Sequence, residues 1–441
     1  MDRPGLDDAL SNADADGYLL DASQDDANQL YLSGFTGPDP FLTLYADGRV
    51  HLLVSGLEYG RARSESDADV VERHADYDYG HGDRDARYDM YAEFVRTNGA
   101  ESVLVPPRGP VGTADALRDR GIGVAVDDDD ILTTVRAVKT DEEVEAIREA
   151  QRANEAAMAA AEELLAGADI AGESIPVDEV ARRDSPPTED DDPRDDDPRD
   201  DEPHDDDSRD DNPHNADPTR DDTATVVEPG TLVHDGAVLT SERVKAEIER
   251  TLLDHGCALD ETIVAGGRQA ADPHDRGSGP LRANEAIVID VFPRSKTTKY
   301  NADMTRTFCV GEPSTELRDR YELTEAALAA ALEAVGPGVT GEEVHAAACE
   351  VYEDAGHATF RTDPDTETGF IHSTGHGIGL DVHELPRLAT GGGELEPGHV
   401  VTVEPGLYDP AVGGVRIEDL VVVTEDGHEN LTNYPIEFVV E

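Results

Sequence analysis

The chain has 441 residues, and its 99 Asp and Glu residues against 36 Lys and Arg residues give a formal net charge of -63 at pH 7. This length exceeds the usual size of one hydrophobic core, so we expect two domains and exclude a miniprotein held together by disulfides. The negative charge repels nucleic acid and anionic membranes, so neither is expected as a partner.

The acidity extends along the chain and is not confined to one tract. The run Asp127 to Asp130 and the cluster Asp67, Asp69, Glu72, Asp76 and Asp78 lie far from the most acidic stretch. At high salt the Debye length shrinks to about 3 Å, and carboxylates that hold water and cations keep a protein soluble. The composition therefore favours a halophile, in particular a haloarchaeon.

Three cysteines, Cys257, Cys309 and Cys349, lie far apart and form no CxxC pair. This spacing predicts neither a disulfide framework nor a zinc-thiolate site. The first 18 residues lack a basic region followed by an apolar one, and no later stretch approaches the length of an apolar membrane span. We therefore expect a cytoplasmic protein without an anchor.

Residues 1–135 show the pattern of a small α/β domain. Short apolar runs at 18–20, 49–54 and 101–105 predict strands, and residues 88–97 predict a helix. At Lys139 the pattern changes, because Thr140 and Glu143 form a capping box that opens a long helix ending at Gly167. We place the second domain at 136–441.

A proline-containing five-residue repeat rich in aspartate occupies residues 182–222. Such a composition cannot bury a core, so we interpret this tract as a disordered insertion in a surface loop. Beyond it the sequence predicts helices at 241–255 and 316–335, a buried strand at 286–292, and a further helix capped by Thr340 and Glu343. The last hundred residues combine strands with Gly-rich turns.

Four carboxylates stand in apolar, strand-like sequence: Asp290 in AIVIDVF, Asp303 in NADMTRTF, Glu404 in VTVEPG and Glu418 in VRIEDL. A hairpin would bring the first two together. Burying a carboxylate is costly unless it is paired or coordinates a cation. Four of them converging would take up protons unless divalent cations compensate their charge, so two metal ions would satisfy the group.

The type of ligand narrows the choice of metal. A site with one histidine and four oxygen-bearing side chains favours manganese over a thiolate zinc site, and cobalt or iron are the alternatives. In a centre with two ions roughly 3.5 to 4 Å apart, a bridging water becomes hydroxide near neutral pH. The composition of the site therefore points to metal-assisted hydrolysis.

The motifs GHGIGLDVHE, TVEPGLY and RIED, preceded by VIDVF and ADMTRTF, closely resemble the aminopeptidase P, prolidase and methionine aminopeptidase family. The resemblance covers the chain from about residue 139 to its end apart from the insertion. It implies an α+β chain whose C-terminal domain has the pita-bread fold, preceded by the smaller α/β domain. The connection between Asp290 and Asp303 is two residues longer than the family pattern.

Carried onto this chain, the resemblance implies a ligand set and several substrate contacts. Asp290 would chelate one ion, Asp303 and Glu418 would bridge both, and His376 with Glu404 would complete the other. Glu404 would also take the proton of the nucleophile, and His383 would hydrogen-bond the substrate and the developing oxyanion. The residues implied around the substrate are His274, His372, Tyr408 and Arg416, the last steadying the bridging glutamate.

The first domain, with YLSGFTG at 31–37 and ADGRVHLL at 46–53, resembles the N-terminal domain of prolidases, aminopeptidases P and creatinase. Methionine aminopeptidases usually lack it, so the resemblance implies a peptide substrate with proline second. It also implies a homodimer in which one subunit's N-terminal domain helps to wall the neighbour's site. Two alternatives stay open: a creatinase-like amidinohydrolase without metal, which the intact ligands oppose, and a catalytically dead binding module, which the ligands and His383 oppose.

Overall fold

The computed structural model describes residues 4–77, 84–172, 175–176, 226–259 and 261–440. The predicted insertion at 182–222 lies outside these residues. The described parts form an N-terminal α/β unit followed by a larger unit of helices and antiparallel strands. None of the helices in these ranges combines the length and apolar character that crossing a membrane requires.

The N-terminal unit is built on one six-stranded sheet. Its strands are β1 (Gly17–Ala22), β2 (Phe41–Ala46), β3 (Arg49–Val54), β4 (Val70–Arg73), β5 (Ser102–Val105) and β6 (Gly123–Val126). Its helices are α1 (Pro4–Asn12), α2 (Ala27–Ser33), α3 (Tyr59–Glu65), α4 (Arg84–Thr97), α5 (Val111–Asp119) and α6 (Ile131–Ala137). The strand order is β4-β3-β2-β1-β5-β6, with an antiparallel centre and parallel pairs at both sides.

Both faces of this sheet are covered because successive strand residues point to opposite sides. Tyr18 and Leu20 of β1 pack with Leu6 of α1 and Leu132 of α6 on one face. Leu19 belongs to the opposite cluster, which includes side chains of α4 and α5. The unit therefore has three layers, with the sheet between two sets of helices.

The second unit contains four long helices and many short strands. The helices are α7 (Asp141–Ala166), α8 (Ser241–Asp254), α9 (Thr315–Ala334) and α10 (Gly341–Asp354). The first strands are β7 (Asp169–Ile170), β8 (Ile175–Pro176), β9 (Val226–Val227), β10 (Leu232–His234), β11 (Ala237–Val238), β12 (Cys257–Ala258), β13 (Ile263–Gly266), β14 (Ile287–Val291), β15 (Arg294–Ser295) and β16 (Met304–Val310). The remaining strands are β17 (Gly375–Gly377), β18 (Glu384–Leu388), β19 (Val400–Val403), β20 (Gly406–Asp409), β21 (Gly413–Arg416), β22 (Asp419–Thr424), β23 (Gly427–Asn430) and β24 (Val439–Val440).

Two sheets with their own helices make up the body of this unit. The sheet β13-β14-β16-β24 shares a core with α7 and α8, and the sheet β18-β17-β19-β22-β23 shares another with α9 and α10. The sheets meet where the Glu418 amide donates a 3.1 Å hydrogen bond to the Thr305 carbonyl. The predicted catalytic residues lie along this seam.

The local signals for helix starts are found in the structure. Thr140 caps α7 and Thr340 caps α10, and each helix has the reciprocal hydrogen bond from Glu143 or Glu343. The predicted hairpin is present as well, with Asp290 of β14 opposite Thr305 of β16. The longer connection inside it is absorbed by β15, which pairs with β12 beside the hairpin.

Candidate metal centre

An antiparallel pair of strands in one sheet and three neighbouring strands in another bring the predicted ligands to one place. Asp290 lies in β14, and Asp303 directly precedes β16, where it is 5% exposed. His376 lies in β17, Glu404 follows β19, and Glu418 precedes β22, the three strands being neighbours in one sheet. Ligands that are distant in the sequence therefore meet because their strands end at the seam between the two sheets.

The shortest approaches centre on His376. One ligand atom each of Asp303, His376 and Glu418 lies within 4.8 Å of the others. His376 Nε2 is 3.4 Å from Glu404 Oε1 and 3.9 Å from Asp303 Oδ2. Asp290 and Glu404 line the same cavity, which has a volume of about 1320 Å³. All five predicted metal ligands thus face one space.

The burial and mutual repulsion of the predicted carboxylate ligands favour the binding of cations. Burial, followed by the charges of Glu418, Asp290 and Glu404, raises the pKa of Asp303 well above its ordinary value. Burial raises the pKa of Glu418 in the same direction and that of Glu404 to about 7. Oδ1 of Asp290 is buried without a hydrogen-bond partner. This donor set fits divalent cations, since carboxylates with one imidazole are hard ligands that a cation keeps ionised.

Arg416 contacts two of the predicted ligands, Asp290 directly and Glu418 through Thr305. Its Nη2 donates to Asp290 Oδ2 at 2.7 Å, whereas its link to Glu418 runs through Thr305. Thr305 Oγ1 accepts from Arg416 Nε at 3.2 Å and donates to Glu418 Oε2 at 2.8 Å. Arg416 therefore stabilises Asp290 directly and Glu418 through the hydroxyl group of Thr305.

His372 and Tyr408 form one hydrogen-bonded chain with the same arginine. His372 Nδ1 contacts the Ser373 carbonyl at 2.7 Å and Nε2 contacts Tyr408 Oη at 3.0 Å. Burial lowers the pKa of His372 to about 3, so the ring is neutral. Because a carbonyl can only accept, Nδ1 donates and Nε2 accepts from the tyrosine, whose oxygen accepts from Arg416 Nη1 at 2.9 Å.

His383 and His274 line the cavity, and both residues are exposed. The ring of His383 meets that of His376 edge to face, with centroids 4.3 Å apart and an interplanar angle of 68°. Partial burial and the neighbouring His376 lower the pKa of His383, so it is uncharged at neutral pH and one ring nitrogen is a donor. The structure thus brings every predicted site residue to this cavity or directly behind its wall.

Comparison with known proteins decides the family. A model of metallopeptidase family M24 matches residues 218–425, and a model of the creatinase/prolidase N-terminal domain matches residues 3–149. Residues 218–425 of this chain therefore belong to metallopeptidase family M24. The family resemblance carried by the sequence motifs is confirmed, whereas the domain boundary near residue 135 stays a prediction.

Individual relatives of this chain include proteins named as dipeptidases. A probable dipeptidase PepE of Mycobacterium tuberculosis is 40% identical over 204 residues, which are 46% of this chain and 52% of that protein. An Xaa-Pro dipeptidase of Pyrococcus furiosus is 38% identical over 193 residues, which are 43% of this chain and 52% of that protein. The matched segment therefore spans about half the length of these curated relatives.

The solved structures agree with the fold of both described units. The prolidase of Pyrococcus horikoshii OT3 superposes with a TM-score of 0.70 at 24% identity, and the match covers 98% of this chain and 98% of that one. The predicted fold class, an α+β chain with a C-terminal pita-bread unit and a smaller α/β unit before it, is confirmed.

Some residues of this M24 site carry no sequence signal of their own. Thr305 was not predicted, although its hydroxyl joins Arg416 to Glu418. Arg136 was also missed, and it reaches the cavity wall from the end of α6. A threonine in a strand and an arginine at a helix end are ordinary residues in a sequence, and their contacts are with residues more than 100 positions away.

Proposed function

We propose that this chain is a metallopeptidase that hydrolyses the N-terminal peptide bond preceding proline, with two divalent cations, manganese first among them. The ligands would be Asp290, Asp303, His376, Glu404 and Glu418. The observation that carries the proposal is the convergence of Asp303, His376 and Glu418 within 4.8 Å in a cavity that Asp290 and Glu404 also line. The Xaa-Pro dipeptidase of Pyrococcus furiosus supports the substrate class.

The charges of the site match this proposal. Four of the carboxylates that line the cavity are the proposed ligands, and Arg416 pairs directly with one of them, Asp290. Two divalent ions would balance the remaining charge and keep the ligands ionised. When bound, such ions polarise a carbonyl and lower the pKa of a water molecule towards neutrality.

Glu404 would transfer a proton from the attacking water to the leaving group. Its Oε1 accepts a 3.4 Å hydrogen bond from Thr402, and an ionised carboxylate beside the attacking water can act as a general base. It would take a proton from the attacking water and return it to the nitrogen of the departing proline. The backbone at this residue is fixed by the 2.7 Å hydrogen bond that the Glu404 amide donates to the Thr374 carbonyl.

The remaining residues would bind and orient the peptide. His383, neutral and open to the cavity, would donate a hydrogen bond to the carbonyl oxygen as negative charge develops on it. His274, His372 and Tyr408 would form the wall against which the substrate lies. The cavity of about 1320 Å³ exceeds the usual range for small-ligand sites, so peptides longer than a dipeptide are included among the proposed substrates.

The cytoplasmic location and the homodimer inferred from the sequence also remain proposals. The three cysteines are free and buried, which suits a reducing cytoplasm. Light scattering in high salt would test the homodimer, which should have twice the 47.4 kDa mass of one chain.

The test of the proposed function combines metal analysis with substrate length. Protein folded in high salt is analysed for bound metal and then assayed with manganese on Xaa-Pro dipeptides, Xaa-Pro-Yaa peptides and Xaa-Ala controls. We expect two ions per chain and release of the first residue from the proline peptides. Turnover of creatine without metal, or binding of no divalent ion at all, would contradict the proposal.

A further inference from the structure

A buried carboxylate follows His383 in the sequence. The side chain of Glu384 is 1% exposed, and both of its oxygens are paired. Oε2 accepts from Lys139 Nζ at 2.8 Å, while Oε1 accepts from Arg136 Nη2 and, at 3.0 Å, from the Asp381 amide. We call Arg136, Lys139, Asp381 and Glu384 the junction cluster.

The cluster ties the N-terminal unit to the segment that carries His383. Arg136 lies in α6, and its Nη1 donates to Asn28 Oδ1 of α2 at 2.6 Å while Nη2 reaches Glu384. Next to it, Leu380 packs against Ala27 and Leu30 of the same helix α2. One face of the N-terminal unit therefore rests on residues 380–384 within the same chain.

The backbone of residues 379–383 is outside the regular strand ladder, so its position depends on the Glu384 carboxylate. The pairing of β17 with β18 shifts register between His376 and Gly377, so the regular ladder is interrupted before residues 379–383. A Cβ atom at Gly379 would lie 2.6 Å from Glu384 Oε2, which shows how closely the carboxylate is seated against the chain. His383 directly precedes β18, of which Glu384 is the first residue, so the seat of Glu384 fixes the backbone from which the His383 side chain extends.

The pairing is strong enough to keep the carboxylate charged. Burial alone would raise the pKa of Glu384, but Lys139 and Arg136 outweigh it and hold the pKa below its ordinary value. Buried ion pairs of this kind contribute little net stability compared with apolar packing, and their best-attested role is to specify one arrangement. The arrangement they specify here is that of the chain beside His383.

We propose that Arg136 and Lys139 are positioning residues which, by seating Glu384, hold His383 in the orientation that contacts the substrate. The N-terminal unit thereby contributes to catalysis within its own subunit. The inference rests on the proposed function, since His383 acts on the peptide.

The test compares the same substitution at two buried arginines. Arg136→Lys keeps the charge of the junction cluster but cannot reach Asn28 and Glu384 together. Arg320→Lys is the matched control, because Arg320 is also buried and pairs with two carboxylates, Glu316 and Asp409, away from His383. Both variants are measured for melting temperature, bound manganese, kcat, KM, and amide hydrogen exchange of residues 377–388. Glu384→Asp, which keeps the charge and shortens the reach, serves as a second variant should Arg136→Lys not fold.

We expect both arginine variants to bind manganese and Arg136→Lys alone to lose on the order of 10- to 100-fold in kcat. In a His383→Ala background the further loss caused by Arg136→Lys should vanish, because the arginine acts through that histidine. Exchange of residues 377–388 should accelerate in Arg136→Lys and stay unchanged in Arg320→Lys. Losses that multiply in the double variant, or equal exchange in both arginine variants, would overturn the inference. Hydrogen exchange decides this even if the wild-type chain cleaves no proline peptide, in which case it is the proposed function that fails.

Discussion

At the scale of single residues, the centre depends on acids that are poorly stable as anions without partners. Asp303 and Glu418 are 5% and 2% exposed, and their nearest charged neighbours include other carboxylates. The donor set therefore has two stable states, one in which it holds protons and one in which it holds cations.

This balance predicts the pH dependence of the metal-free protein. Burial raises the pKa of Glu404 to about 7 and that of Asp303 well above its ordinary value, whereas in the unfolded chain both titrate near pH 4. The stabilisation from the bound protons is therefore complete below about pH 4 and is lost as the pH rises through about 7. We expect the melting temperature in EDTA to fall by on the order of 5 °C between about pH 6 and about pH 8.

Adding manganese should abolish this decrease, because the cations compensate the anions that form at higher pH. The measurement is thermal unfolding at both pH values in the same high salt, with EDTA and with manganese. Identical melting temperatures in EDTA at the two pH values would show that the carboxylates are not protonated in the folded state.

His383 offers the most direct test of a catalytic role. Removing one donor to a developing oxyanion lowers kcat by about 10²- to 10³-fold in other hydrolases, and we expect a loss of this size for His383→Ala. KM and bound manganese should change little, because the ring is placed beside the ligands rather than among them. His357→Ala, at a half-buried histidine outside the cavity, is the control and should retain kcat within about twofold. Full activity of His383→Ala would remove this residue from the mechanism.

At the scale of elements, β17 is held so closely between its neighbours that two of its three residues must be glycine. A Cβ atom at Gly375 would lie 1.9 Å from the Thr402 carbonyl oxygen, and one at Gly377 would lie 2.0 Å from that of Leu385. His376 stands between them, so the position of this ligand depends on the close approach of the backbones.

Gly377→Ala should therefore damage metal binding. Separating the strands to admit the methyl group costs about 1 to 3 kcal/mol and moves His376 away from the carboxylates. We expect manganese affinity, measured by titration calorimetry, to fall at least about tenfold. Gly393→Ala is the matched control, since a Cβ atom added there would meet nothing within 4 Å. Equal affinity of the two variants would contradict the role given to this strand.

The short hairpin of β8 and β9 predicts that the segment between them is dispensable. Ile175 pairs with Val227 and Pro176 with Val226, so the two residues that flank the segment 177–225 are neighbours in the fold. A short Gly-Ser turn in place of this segment would join two points of the chain that are already close, at little entropic cost. We expect kcat/KM within about twofold of the wild type. A scrambled segment of natural length is the control, and loss of activity in the shortened chain alone would show that length matters.

At the scale of the whole molecule, the net charge of -63 dominates behaviour in solution. At low ionic strength the carboxylates repel one another over distances comparable to a domain, which destabilises the compact state. We expect the melting temperature and the activity to fall steeply when KCl is lowered from about 3 M to about 0.1 M. Circular dichroism against salt concentration measures this, with KCl and NaCl compared at equal ionic strength. A melting temperature independent of salt would contradict the halophilic interpretation.

The sequence by itself determined the features that are written locally. Capping boxes at Thr140 and Thr340 are contacts over three residues, so the start of α7 and of α10 could be predicted. The cost of burying Asp290 in an apolar strand pointed to a partner, and the order of the ligand motifs pointed to the M24 family and its fold.

The tertiary structure alone decided which distant residues share a contact. Arg416 pairs with Asp290, 126 positions earlier, and Arg136 pairs with Glu384, 248 positions later. Such pairs depend on how two sheets and two units pack. The RIED motif marked Arg416 as a site residue but did not indicate Asp290 as its partner, and the residues near Arg136 gave no signal at all. Local energetics specify where elements begin, whereas the geometry of packing specifies which side chains meet.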